Sequence, residues 1–231
     1  GQFYGWANKH EKSKTCFQKG LDIEILLNNK QAQSKFLNNL SAFYMHIDQE
    51  KALYLLEKSK QIKLELEEYV SMHNVYGQMG NAFSILGNYS KAIENVDKAL
   101  QIRINNGMDM FVCQSYNDLG VFYTEIGDFK QSKTYLDLSK KISEEIEANQ
   151  NIAFYYFYMG KISANQNDIK EAIENYNLSI EEFSLHQNYQ WVMIVNLEIA
   201  LLYYFSNDYD KSSKYLNKTL KLSKRLKGND I

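Results

Sequence analysis

The sequence predicts an all-α chain of antiparallel helix pairs stacked into a solenoid, and three observations predict it. First, a 40-residue period runs through several columns at once: Ala52, Ala92, Ser132, Ala172 and Ser212 lie 40 residues apart, as do Leu56, Val96, Leu136, Tyr176 and Leu216. Second, the apolar and small residues within each period fall at i, i+4 and i+7, the inward stripe of a helix. Third, the chain contains no proline, so every backbone N–H can join a helix ladder.

The elements follow in order. Residues 1–30 read as a partial repeat. Gly1-Gln2-Phe3-Tyr4 align with Gly120-Val121-Phe122-Tyr123, so the chain opens in the middle of a first helix A, and Ser13, Phe17 and Gly20 serve as its helix B. Five full repeats follow at 33–72, 73–112, 113–152, 153–192 and 193–231, giving one domain over 1–231 with eleven or so helices. Helix A of each repeat carries a small residue at Gly80, Gly120, Gly160 or Ala200, with Leu40 in the first; four residues earlier stands Phe36, Tyr76, Tyr116 or Tyr156, with Asn196 the exception. The turn is Gly-Asn at 87–88, Gly-Asp at 127–128 and Asn-Asp at 167–168 and 207–208. Gly or Asn ends helix A in the left-handed region, and Asp or Asn caps helix B. Gln131 and Glu171, three residues past the cap, complete a capping box. Helix B then reads small–x–x–x–large–x–x–small, as in Ser132, Leu136 and Ser139. The chain stops soon after the last helix B, and terminal repeats need a polar cap. Both ends therefore read as cut from a longer protein whose other domains carry any output.

Composition excludes several classes. A formal net charge of -2 and a pI near 6.1 give no global field for nucleic acid. The basic cluster from Lys218 to Lys227 reads as a solvated helix face. No apolar stretch approaches the ~20 residues of a membrane span, so no membrane insertion is expected. Cys16 and Cys113 fall more than two repeats apart and are expected as reduced thiols of a cytoplasmic protein. The histidines His10, His46, His73 and His186 are dispersed, without metal-ligand spacing, and the glycines sit singly at repeat positions, so no metal, no cofactor and no enzyme activity is expected. Of the sequons at Asn88, Asn177 and Asn217, the last two place Ser179 and Thr219 in the packed column of helix B, which argues against glycosylation.

The segment Tyr116-x-x-Leu119-Gly120-x-x-Tyr123, followed by Gly127-Asp128-Phe129, Ser132, Leu136 and Ser139, resembles the tetratricopeptide repeat. So does Tyr76, Gly80, Phe83, Gly87, Tyr89, Ala92, Val96 and Ala99, and the resemblance covers essentially the whole chain. The family's usual period is ~34 with a proline after helix B; the longer, proline-free period here is similar to the branch holding kinesin light chains, spindle-orientation adaptors and bacterial peptide-pheromone receptors. The resemblance implies a right-handed superhelix whose A helices line a concave surface that holds a peptide or protein segment.

Helix A positions pointing away from the packed stripe make the candidate groove. They are Ser34, Asn38, Asn74, Gln78, Asn81, Gln114, Asn117 and Asp118, then Phe154, Phe157, Tyr158, Lys161, Asn165 and Glu198. Each amide offers a donor and an acceptor to an extended backbone, and the aromatics supply an anchor pocket or pack between helices. Lys161 is the sole basic residue of the set, so the carboxylate clamp of the chaperone-tail binders in the family is not expected. The reading is thus the sensor or interaction part of a bacterial regulator. Its rival is a self-assembly element, a homo-oligomer stacking through Phe3, Tyr4 and Trp6 and through the last helix.

Overall fold

The computed structural model describes residues 2–148 and 150–228, with side chains over 12–148 and 151–226. Eleven helices follow one another among these residues, with no strand: α1 (Gln2–Leu26), α2 (Lys30–Tyr44), α3 (Gln49–Glu65), α4 (Met72–Ile85), α5 (Tyr89–Asn105), α6 (Asp109–Glu125), α7 (Phe129–Glu145), α8 (Gln150–Asn165), α9 (Ile169–Leu185), α10 (Tyr189–Phe205) and α11 (Tyr209–Gly228). The even-numbered members from α2 to α10 are the A helices and the odd-numbered members from α3 to α11 the B helices. The chain divides into two compact units, one ending at Ser115 and one beginning at Tyr116, with the boundary inside α6.

Polar side chains set the helix starts. The carboxylate or amide oxygens of Asp48, Asn88, Asp128, Asp168 and Asp208 accept the N–H three residues on, at 2.9–3.2 Å. Before them, Gly87, Gly127, Asn167 and Asn207 take φ between 59° and 81° and end helix A as the sequence predicts. In the turn after α4, the Gly87 N–H bonds Ser84 O and the Asn88 N–H bonds Phe83 O, which satisfies carbonyls the helix leaves open. The capping box is corrected at Asp168. Its own N–H is bonded to Ser163 O and is not left for the Glu171 side chain.

Small columns bring the paired helices together. A Cβ built on Gly80 would lie 2.5 Å from Val96 Cγ2, on Gly120 2.7 Å from Leu136 Cγ, and on Gly160 2.6 Å from the Tyr176 ring. Where the opposing small residue is serine, the close approach also makes a hydrogen bond. Ser132 Oγ donates to Gly120 O and Ser212 Oγ to Ala200 O, while Ser59 Oγ and Ser179 Oγ donate to Ser34 O and Ala153 O. The Ser179 hydroxyl is fully buried in doing so. Asn196, the exception in the aromatic column, is buried and turns its amide onto Val192 O one turn back.

The opening of the chain departs from the expectation. Gln2–Leu26 is one continuous helix, not the tail of a helix A, a turn and a helix B. By alignment with Gly127-Asp128 the turn would fall at Asn8-Lys9, where lysine stands in place of the capping Asp or Asn. Phe17 and Gly20 do pack as a helix B would: Phe17 meets Phe36 edge-on at 6.2 Å, and a Cβ on Gly20 would strike the Phe36 ring at 2.5 Å. The side chains of Phe3, Tyr4 and Trp6 lie outside the described residues. Among the described residues no helix is long and apolar enough to cross a membrane.

Candidate functional site

Within α4 the core stripe is Val75, Met79 and Ala82, all buried. Residues one position earlier, Asn74, Gln78, Asn81 and Ile85, lie at i, i+4, i+7 and i+11 on the helix surface and are exposed or half-exposed. The 40-residue period carries this outward stripe to Gln114, Asp118, Val121 and Glu125 on α6, to Phe154, Tyr158, Lys161 and Asn165 on α8, and to Ile194, Glu198, Leu201 and Phe205 on α10. None of these side chains is buried.

In the first unit the outward side chains on α2, α4 and the start of α6 are mainly uncharged amides. Asn74 and Gln114 are exposed; Asn38, Gln78 and Asn81 are half-buried. Ser41 Oγ sits between α2 and α4, 2.6 Å from Asn38 O and 2.7 Å from Gln78 Oε1, and donates into this pair of acceptors. Asn38 Oδ1 is shielded from solvent and accepts no hydrogen bond. Ser34 is corrected: it is fully buried, its hydroxyl donates to Gln31 O, and its carbonyl receives Ser59 Oγ from α3.

The second unit differs in chemistry. Lys161 Nζ lies 2.9 Å from Glu125 Oε1 and ties α8 to α6. Tyr158 stands between them with its phenol held well above the usual tyrosine range, first by burial and then by the Glu125 and Asp118 carboxylates. Phe157 is corrected: it is only 4% exposed and packs against Tyr176 and Trp191, so α10 takes it into the core. Phe154 is half-buried against the edges of Phe183 and Trp191, at 5.0 and 4.8 Å. Asn117 is half-buried in the column of Phe157, one step off the outward stripe. Asn165 turns its amide onto Lys161 O.

Sequence reasoning missed Ile85, Val121, Glu125, Ile194, Leu201 and Phe205, although the period that located Asn74 and Asn81 points to the same columns. On α10 the result is a largely apolar outward face, with Ile194 39%, Leu201 50% and Phe205 76% exposed. One cleft, lined in part by Phe129, Lys133, Met159 and Ile162, receives none of the fourteen candidates. Among the described residues no group of three metal-ligating side chains forms. Cys16 is exposed and Cys113 buried, and neither forms a disulfide.

Residues 73–106, 114–146 and 195–225 match the family model described as the tetratricopeptide repeat. These three segments are tetratricopeptide repeats. No curated protein matches it by sequence. Solved tetratricopeptide-like structures do match by fold. BtubC (BKLC) from P. vanneervenii aligns with a TM-score of 0.74 at 16% identity, over 95% of this chain and 92% of that one. A Rap protein complexed with Competence and Sporulation Factor aligns at 0.72 and 16% identity, over 98% of this chain and 62% of that one. A STAND protein with a tetratricopeptide repeat sensor, PH0952 from Pyrococcus horikoshii, aligns at 0.70 and 17% identity, over 90% of this chain and 34% of that one. At these identities the likeness shows the fold alone, and this chain spans less than two thirds of the last two proteins.

Proposed function

We propose that this chain is a peptide- or protein-binding module, the sensor or interaction part of a larger cytoplasmic bacterial regulator, with the outward stripe of the A helices as its reading surface. The observation that carries the reading is the repetition of that stripe. In each unit the equivalent positions of the A helices are exposed or half-exposed, and of these Phe154 and Tyr158 also pack on the core. Polar amides in the first unit match a peptide backbone, which presents donors and acceptors in turn, and exposed apolar groups in the second provide contact area. The Rap structure in complex with Competence and Sporulation Factor, and the STAND protein PH0952 with its tetratricopeptide repeat sensor, support the same use of the fold. No enzyme family is indicated by the match, and the module is proposed as non-catalytic. Selection from a random peptide library on the whole chain tests this: an enriched family of sequences is expected, and a library that returns none contradicts the reading.

Self-association is the second reading, and one observation favours it. Leu56, Val96, Leu136 and Tyr176 are at most 1% exposed, whereas Leu216 of the same column is 44% exposed and Leu220 beside it 54%. A homo-oligomer covering this face of α11 should dissociate when Leu216 and Leu220 are both replaced by Asp. Sedimentation velocity checks it, and a wild-type chain that stays monomeric at high concentration rejects it.

A further inference from the structure

The outward stripe of the second unit is both apolar and acidic, and this combination selects a ligand chemistry. Counting its charged members gives the carboxylates Asp118, Glu125 and Glu198 against one ammonium, Lys161, which is already bonded to Glu125. Glu198 sits half-buried between the exposed aliphatics Ile194 and Leu201, one turn from each on α10. A half-buried carboxylate flanked by apolar groups acts through a lower effective dielectric than one in open water, so it discriminates more strongly by charge. The Asp118 carboxylate lies in the same column two A helices earlier, with Tyr158 between. By contrast, the candidate amides of the first unit carry no formal charge.

We propose that the helix-A face of the second unit binds an extended peptide segment that combines aliphatic side chains with Lys or Arg, Glu198 receiving the cation while Ile194 and Leu201 cover the aliphatic groups. This rests on the peptide-binding reading above and deepens it by naming the ligand class. Packed helices stand ~8–10 Å apart and an extended chain rises ~3.3 Å per residue, so ligand residues six apart, ~20 Å, span the two A-helix steps from Asp118 to Glu198 and, six being even, leave the chain on one face. A segment with basic residues at every third position contains such a pair six apart, which meets Asp118 and Glu198. The same field repels acidic segments.

Three nine-residue peptides test it, each the triplet Leu-Ala-X repeated, with X as Lys, Gln or Glu and a terminal fluorophore. Anisotropy titration of the whole wild-type chain should rank them Lys, Gln, Glu, with the Lys peptide at least about tenfold tighter than the Glu peptide. Glu198→Gln should reduce that ratio to roughly threefold or less, since a charge-assisted bond becomes a neutral one. Leu201→Asn should weaken the Lys and Gln peptides alike. Unchanged circular dichroism of both variants is required, because both positions lie outside the core. Equal affinity for the Lys and Glu peptides overturns the proposal, as does a Lys preference unchanged in Glu198→Gln, or no binding by any of the three. These failures leave the broader reading in place if a library-selected peptide is still lost on substituting the helix-A face. If the selected peptide ignores that face altogether, the broader reading fails as well.

Discussion

Replacing Gly120 with Leu is expected to destabilise the protein by about 3–5 kcal/mol, above the ordinary cost of overpacking. The Cβ alone would stand 2.7 Å from Leu136 Cγ and Cδ2 and 3.4 Å from the Leu136 backbone nitrogen. Leu136 is fully buried and packs against Met159 and Ile162 of α8, so moving it disturbs that contact too. Relief requires α6 and α7 to separate, which would also stretch the Ser132 Oγ to Gly120 O bond of 2.8 Å. Gly127→Ala is the informative contrast. Nothing stands within 4 Å of its would-be Cβ, and only the φ of +81° opposes a side chain. That strain is worth ~1–2 kcal/mol. Urea unfolding followed by far-ultraviolet circular dichroism measures both, and a Gly120→Leu variant as stable as Gly127→Ala would show that this column does not set the helix spacing.

Arg103→Ala should cost a similar ~3–5 kcal/mol, by a different route. The guanidinium is 3% exposed, donating from Nε to His73 Nδ1 at 3.3 Å and from Nη1 to Phe111 O and Ser115 Oγ at 3.1 and 2.6 Å. It lies 5.5 Å from the centre of the Phe111 ring, and a Cβ on Gly77 would come within 2.9 Å of its Nη2. His73 can accept only while neutral. Burial, then Arg103 and Lys63, hold its pKa below the usual histidine value and keep it so. Alanine would leave a cavity together with buried acceptors that lose a donor. Lysine should restore little of the loss, because one ammonium cannot reproduce the guanidinium fork. A double-mutant cycle of Arg103→Ala with His73→Ala is expected to show coupling of at least ~1 kcal/mol; strict additivity would mean that the 3.3 Å contact contributes nothing.

This network was not legible in the sequence, and the reason is physical. Arg103 and His73 are 30 residues apart and obey no repeat column of charge: the positions equivalent to Arg103 hold Lys63, Ser143 and Phe183. The repeat itself was legible because close helix approach demands small residues at fixed intervals, as at Gly80, Gly120 and Gly160. The turns after helix B were less so. Glu67, Glu147 and Gln187 take φ of 55–56° in the place where Gly107 stands, without glycine or asparagine to signal it. In the candidate site, the period located the outward stripe but not its depth. Ser34 falls in the stripe's own column and Phe157 beside it, and whether such a position is open depends on the neighbouring helix: Ser59 Oγ on α3 donates to the Ser34 carbonyl, and Trp191 on α10 covers Phe157. The first contact is made within a repeat and the second by the following A helix, and neither depth is encoded in the spacing along a single helix.

On the proposed function, each unit reads its ligand through the outward stripe of its A helices. The most direct test compares the affinity of a library-selected peptide for the wild-type chain with that for the triple variant Asn74→Ala, Gln114→Ala, Leu201→Ala. All three side chains are exposed, so stability should change by less than ~0.5 kcal/mol per site. Loss of the amide hydrogen bonds and the aliphatic contact should weaken binding by ~10–100-fold. Lys133→Ala, at the cleft beside Phe129 and Met159, should leave the affinity unchanged. Undiminished binding by the triple variant, with a loss in Lys133→Ala, would place the partner at that cleft and contradict the claim.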